Sequence, residues 1–144
     1  MKKTLLWIFI PFILIQSIQM DVPATLSFKP QDEVEAPKEV MEILKRSCYD
    51  CHSSSLVYPW YSQIAPLSWY TQNHVKDGRK VVNFSIWKSY NRAKQFKVMD
   101  KLPESLIIRM PLPDYLWLHK DAKLSTNDKK ILSRWAKKLT EGIK

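Results

Sequence analysis

Apolar positions along the chain fall into two regimes: one continuous block near the start, and, beyond residue 37, short stripes spaced by threes and fours with charged residues between them. The second pattern puts one face of a helix against a core. Pro37 sits where a first helical residue is tolerated, and Val40, Met41, Ile43 and Leu44 then form an apolar face leading into Cys48. Pro66 can open a second helix, with Leu67, Tyr70 and His74 at i, i+3 and i+7 and an end near Gly78. Phe84, Trp87 and Tyr90, at steps of three, predict a third helix over 84–96, and Pro103 a further short one over 102–109. In the last segment Ser125-Thr126-Asn127-Asp128 has the form of a capping box with Asp in place of Glu. Leu132, Trp135, Ala136 and Leu139 follow as a stripe, and Gly142 is placed to stop the helix. With only two glycines and mostly helical spacing, the expected class is mostly α.

The continuous block is a leader. Met1-Lys2-Lys3 makes a basic start, and the apolar stretch Thr4 to Ile15 is interrupted only by Pro11. Its length is that of a signal-peptide core and short for a full membrane span. Gln16 to Met20 offers only Ser17 as a small residue for cleavage, so residues 1–20 read as a signal peptide or as an uncleaved membrane anchor. The lysines keep the start of the chain inside, and the globular part lies outside the cytoplasm. Residues 21–37 carry Pro23, Pro30 and Pro37 among acidic side chains, without periodicity, and read as a linker or wrapping arm. Residues 38–144 then form one domain with one core.

The net charge is +9, falling to +7 if Lys2 and Lys3 leave with the leader. A basic surface can steer acidic redox partner proteins or sit near anionic lipid, although lysines spread over solvated helix faces give the same total. Nucleic-acid binding fits poorly with an exported chain.

Both cysteines lie in Cys48-Tyr49-Asp50-Cys51-His52, the C-x-x-C-H attachment signature of a c-type haem. Thiols three residues apart on a helical turn project from one face, so each can form a thioether with one haem vinyl group. The imidazole beside the second thiol then meets the iron as proximal ligand. A thioredoxin-like dithiol wants a βαβ surround, and a structural zinc wants four ligands at a familiar spacing. Neither pattern is evident around residue 48, and His52 directly after the second thiol favours haem over the dithiol, metal and plain disulfide readings, which stay as the alternatives. One motif and no internal repeat imply one haem c, covalent through Cys48 and Cys51. A c-type haem further implies attachment machinery during maturation and a place on the outer side of the bacterial inner membrane. The chain is then periplasmic, or membrane-associated through its leader.

The sixth iron ligand separates an electron carrier from a ligand-binding haem. The candidates are Met110, Met99, Met41, His74 and His119. Met110 is favoured, because Pro111 and Pro113 preclude regular helix there and hold the chain extended, so that the thioether can be aimed. His74 is the alternative, giving bis-His ligation and a lower potential. Most of the aromatic side chains, among them Tyr58, Trp60, Tyr61, Trp69 and Trp117, are expected to line the pocket or the core, and Arg79 or Arg109 could pair with a propionate, although plain packing or solvent exposure is the better reading for any single one of them.

Beyond the motif, Tyr58-Pro59-Trp60-Tyr61, Ile64-Ala65-Pro66, Gly78-Arg79, Asn83-Phe84, Met110-Pro111-Leu112-Pro113-Asp114-Tyr115 and Ala122 to Ser125 leading to Trp135-Ala136 together resemble a known family. It is the bacterial haem-binding domain with a single C-x-x-C-H, found in exported proteins. Lys120 stands where similar chains often carry Pro. The resemblance implies covalent haem in a small, mostly α, cytochrome c-like domain, preceded here by the leader and the Pro-rich stretch. The expected function is that of an exported monohaem c-type cytochrome that transfers electrons, with no catalytic residues assigned. One rival is a peroxidase-like, gas-binding or sensory domain with an open distal site, and a second is a haem-free exported module whose C-x-x-C makes a disulfide.

Overall fold

The computed structural model describes residues 2–143, with side chains from residue 6 onward, so Met1 and Lys144 lie outside the described residues. Within them the regular elements are helices: α1 (Lys2–Ile15), α2 (Lys38–Ser47), α3 (Tyr49–His52), α4 (Leu67–Val81), α5 (Arg92–Ile108), α6 (Tyr115–Leu118) and α7 (Thr126–Ile143), joined by short 3-10 turns. Extended chain among the described residues pairs in one antiparallel bridge, Thr25 with Ser55. The protein is mostly α.

Three helices supply most of the core. The stripe of α2 buries Val40, Ile43 and Leu44, α5 buries Met99 and Leu106, and α7 buries Leu132, Trp135 and Ala136. Fully burying one such leucine stabilises the fold by roughly 1.5–3 kcal/mol. The most extensive helix pairing is α5 with α7. The end of α2 meets the start of α7 where Arg46 Nη2 donates to Asp128 Oδ2 at 2.8 Å. That carboxylate also accepts from Ser125 N at 2.9 Å while Ser125 Oγ accepts from Asp128 N at 3.0 Å, which is the reciprocal capping box with Asp doing the work of Glu.

Three helix boundaries differ from the expectation. Gly78 does not end α4, which continues to Val81. The segment predicted over 84–96 divides: a 3-10 turn, Phe84–Ser89, ends at Tyr90, and α5 begins at Arg92 behind Asn91, whose side chain accepts from Lys94 N at 2.8 Å. Asn83, which caps the 3-10 turn by accepting from Ser85 N, and Asn91 thus override a stripe of three aromatics. Pro103 opens no helix and lies inside α5. Its missing N–H leaves the Met99 carbonyl without an intrahelical donor, yet Met99 and Leu106 on either side are 1% and 2% exposed, and packing carries the helix through.

Residues 21–37 lie along the helices. Leu26 N donates to Ser54 O at 2.7 Å and Val34 N to Phe84 O at 2.9 Å, and the Val34 side chain is buried.

Candidate functional site

The two-cysteine motif forms a turn of its own. At Cys48 the backbone (φ −129°, ψ −34°) leaves the path of α2. The chain then recoils so that Cys51 N and His52 N both donate to Cys48 O, at 3.2 and 2.9 Å. His52 Nδ1 lies 3.0 Å from Gly78 O and 3.1 Å from Val82 O. Two carbonyls can only accept, so Nδ1 carries the proton and Nε2 keeps the lone pair that a metal needs. Burial holds the imidazole pKa below its ordinary value, against the opposing pull of the Val82 and Gly78 carbonyls, and so favours the neutral ligand form.

Gly78 explains how α4 comes so near. A Cβ there would stand 2.9 Å from Cys51 O and 3.4 Å from both Cys51 Cβ and His52 Cε1. The helix therefore accepts glycine's cost, about 1 kcal/mol relative to alanine, at the point where its backbone meets the motif. The next residue, Arg79, reaches across the chain after the motif: Nε donates to Ser53 O at 2.8 Å, and the two Nη atoms donate to Pro23 O at 2.5 Å and Ala24 O at 2.6 Å. The guanidinium is thus engaged by backbone carbonyls, the packing role, and not offered to a propionate.

A buried polar cluster fixes the other end of the motif. Asn83 Oδ1 accepts from Ser85 N at 3.0 Å, Asn83 Nδ2 donates to Ser54 Oγ at 2.7 Å, and Ser54 N donates to Ser85 Oγ at 3.0 Å. Ser53, Ser54, Asn83 and Ser85 are all 2% exposed or less, so each of these bonds replaces one that water would otherwise make.

Beside the motif opens a cavity of about 620 Å³, lined by Cys48, His52, Phe84, Val98, Leu106 and Met110 among others. That volume lies within the roughly 300–1,000 Å³ common for cofactor sites. Lys80, Lys94, Lys97 and Lys101 add a basic border. Met110 reaches the cavity from the end of α5, where Met110 N donates to Ser105 O at 2.9 Å. The loop that follows is tied back to the motif. Tyr115 donates to the Asp50 carboxylate and stacks on His119 at 4.2 Å, and Tyr61 Oη is hydrogen-bonded to His119 Nε2 at 2.7 Å. Burial, with Asp50 beside it, pushes the Tyr115 hydroxyl pKa well up.

Of the residues singled out in the sequence, Cys48, His52 and Met110 therefore meet at one cavity. Cys51 faces α4 at Gly78 and is outside the cavity lining. His74 is not brought there: its Nδ1 lies 2.8 Å from Tyr70 O and its ring 4.2 Å from the Tyr70 ring. His119 is engaged by Tyr61 and Tyr115, Met99 fills the core, and Met41 packs on the core's edge. Phe84 lies in the lining and Tyr61, Trp87 and Trp135 are buried, whereas Trp60 and Trp117 are 75% and 78% exposed and line neither the pocket nor the core. The two cysteines are not joined to each other by a disulfide. Burial, with Cys51 nearby, raises the Cys48 pKa to about 12, and burial, with Asp50 nearby, raises that of Cys51 to about 11.

Sequence reasoning missed the roles of Asn83 and Asp50. Asn83 carried a signal, since Asn two residues before Ser is a common turn cap. Asp50 carried none, because its partner Tyr115 is 65 residues away.

Against known proteins, the chain matches the family described as the haem-binding domain over residues 8–138. No curated protein and no solved structure matches it. The chain belongs to the haem-binding domain family, and haem is its cofactor.

Proposed function

From that family membership we propose that the chain is an exported monohaem c-type cytochrome whose work is to carry electrons to and from partner proteins. Cys48 and Cys51 anchor the haem as thioethers, His52 is the proximal iron ligand and Met110 the distal one. The observation that carries this reading is the joint lining of one cavity by Cys48, His52 and Met110, three residues from two separate stretches of sequence.

The cavity fits the group. Its lining is mostly apolar, as a macrocycle requires, and the proton of His52 is already committed to backbone carbonyls. Bound haem supplies an iron that takes up and returns one electron. The protein's own part is to orient and to exclude. Val82 and Gly78 set the imidazole plane and its tautomer, and Phe84 and Leu106 keep water from the ring. With His52 and Met110 holding the iron, the thioether would raise the potential above that of bis-His ligation, which suits a carrier.

The test uses the full chain, produced with haem-attachment machinery and read by oxidised and reduced visible spectra and by acid-solvent extraction. Extraction-resistant, low-spin haem is expected. Met110→Ala should open the sixth site and lower the potential with haem still attached, whereas Cys51→Ala should cut covalent attachment far more. An unchanged spectrum and potential in Met110→Ala rejects Met110 as ligand. Resistant but high-spin haem in the parent would move the function to gas binding or peroxide chemistry, and extractable haem would reject the thioethers.

A further inference from the structure

Ala65 is fully buried, and both of its backbone polar groups are satisfied by one side chain from the leader: Ala65 N donates to Gln16 Oε1 at 2.9 Å, and Gln16 Nε2 donates to Ala65 O at 3.1 Å. A side-chain amide paired with a backbone amide in this way is a two-point, oriented contact. It is continued downstream. Trp69 Nε1 donates to Ile18 O at 2.6 Å, Tyr58 Oη to Val22 O at 2.9 Å, and Val22 N to Gln72 Oε1 at 3.4 Å. The chain from Gln16 to Ala24, where Arg79 takes over, is thus stitched to the start of α4 and to the residues just before it.

The leader helix that this seam holds is built for lipid. Each side chain from Leu6 to Leu14 is exposed, and no charged residue occurs from Thr4 to Met20. A helix docking into a protein groove needs one apolar stripe, while one that is apolar all round matches a solvent that is apolar on every side. Its 14 residues rise about 21 Å, less than the roughly 30 Å of bilayer hydrocarbon. Among the described residues no helix is long and apolar enough to cross a membrane.

We infer that the leader is not removed: the mature protein keeps Gln16 as a structural residue of the haem domain and keeps α1 as an anchor in the lipid bilayer. Cleavage beyond Gln16 would leave Ala65 N–H and C=O without their protein partner. The inference rests on the export reading above, and deepens it by naming a membrane as the partner of α1.

The test is the intact mass of the full chain made with haem-attachment machinery in a bacterial host, after membranes are washed with alkaline carbonate. The expected species contains Gln16, carries one covalent haem and stays in the membrane pellet. A haem-loaded chain that begins after Gln16, or a haem-loaded full chain released to the supernatant, overturns the anchor while leaving the cytochrome intact. A full chain that keeps Gln16 and stays in the pellet without covalent haem overturns the thioether reading and leaves the anchor standing. As a second arm, Gln16→Leu in the detergent-solubilised, haem-loaded protein should speed hydrogen exchange at Ala65 N–H by about tenfold or more. Unchanged exchange there would show that the seam is not formed.

Discussion

On the α4 side of His52 the contacts are directional: two carbonyls on Nδ1, a three-way guanidinium, and a closed set of buried serines around Asn83. On the other side, where Phe84, Val98, Leu106 and Met110 border the cavity, the contacts are mostly apolar and nondirectional. The difference follows from what each side must do. A residue in the proximal role proposed for His52 has to be held in one tautomer and one plane, and only hydrogen bonds with fixed acceptors specify an angle. A cofactor wall has to exclude water and fill volume, which apolar side chains do with latitude in orientation. Stability and ligand geometry are therefore carried by different halves of the site.

That division can be broken by substitutions on each side. Leu106→Ala, at a residue 2% exposed in both the core and the cavity wall, should cost roughly 2–5 kcal/mol in denaturant unfolding and leave the haem potential nearly in place. Asn83→Ala should cost less, roughly 1–3 kcal/mol, by stranding the buried Ser85 N–H and the Ser54 hydroxyl. It should nevertheless shift the potential more than Leu106→Ala does, because Asn83 directly follows Val82, whose carbonyl orients His52. A larger potential shift from Leu106→Ala would abolish the proposed division.

The smallest effect is expected away from both halves, at the start of α7. Desolvation alone would raise the Asp128 pKa, but the hydrogen bonds from Ser125 and the nearby Arg46 outweigh it and hold the carboxyl below its ordinary value. A depressed folded-state pKa means the contribution is complete at neutral pH and is lost as pH falls through the folded value. Asp128→Asn should thus cost no more than about 1 kcal/mol at pH 7, since an asparagine oxygen can still accept from Ser125 N in the cap. The unfolding curves of parent and variant should converge in acid, and a constant difference down to the most acid pH would show that the charge is not what the cap uses.

The helices at the two ends of the domain were legible because their signals are local: a stripe of threes and fours in α2 and α7, and a serine three residues before an aspartate. The middle was less so. Phe84, Trp87 and Tyr90 have helical spacing but belong to a 3-10 turn, and Pro103 reads as a start yet lies inside α5, because contacts from distant sequence override local preference. Gly78 reads as a stop when only its own helix is considered, and as a contact point once Cys51 is set against it.

By itself the sequence determined the haem cofactor, the mostly α class and the uncharged apolar stretch from Thr4 to Ile15, since a C-x-x-C-H turn and a hydrophobic period are complete within a few residues. Tertiary structure alone decided that Met110 shares a cavity with His52 while His74 does not, that Arg79 is spent on backbone carbonyls, and that Gln16 completes Ala65. Each of these joins residues tens of positions apart, and one-dimensional spacing carries no information about which distant groups a packed core brings within hydrogen-bonding or van der Waals reach.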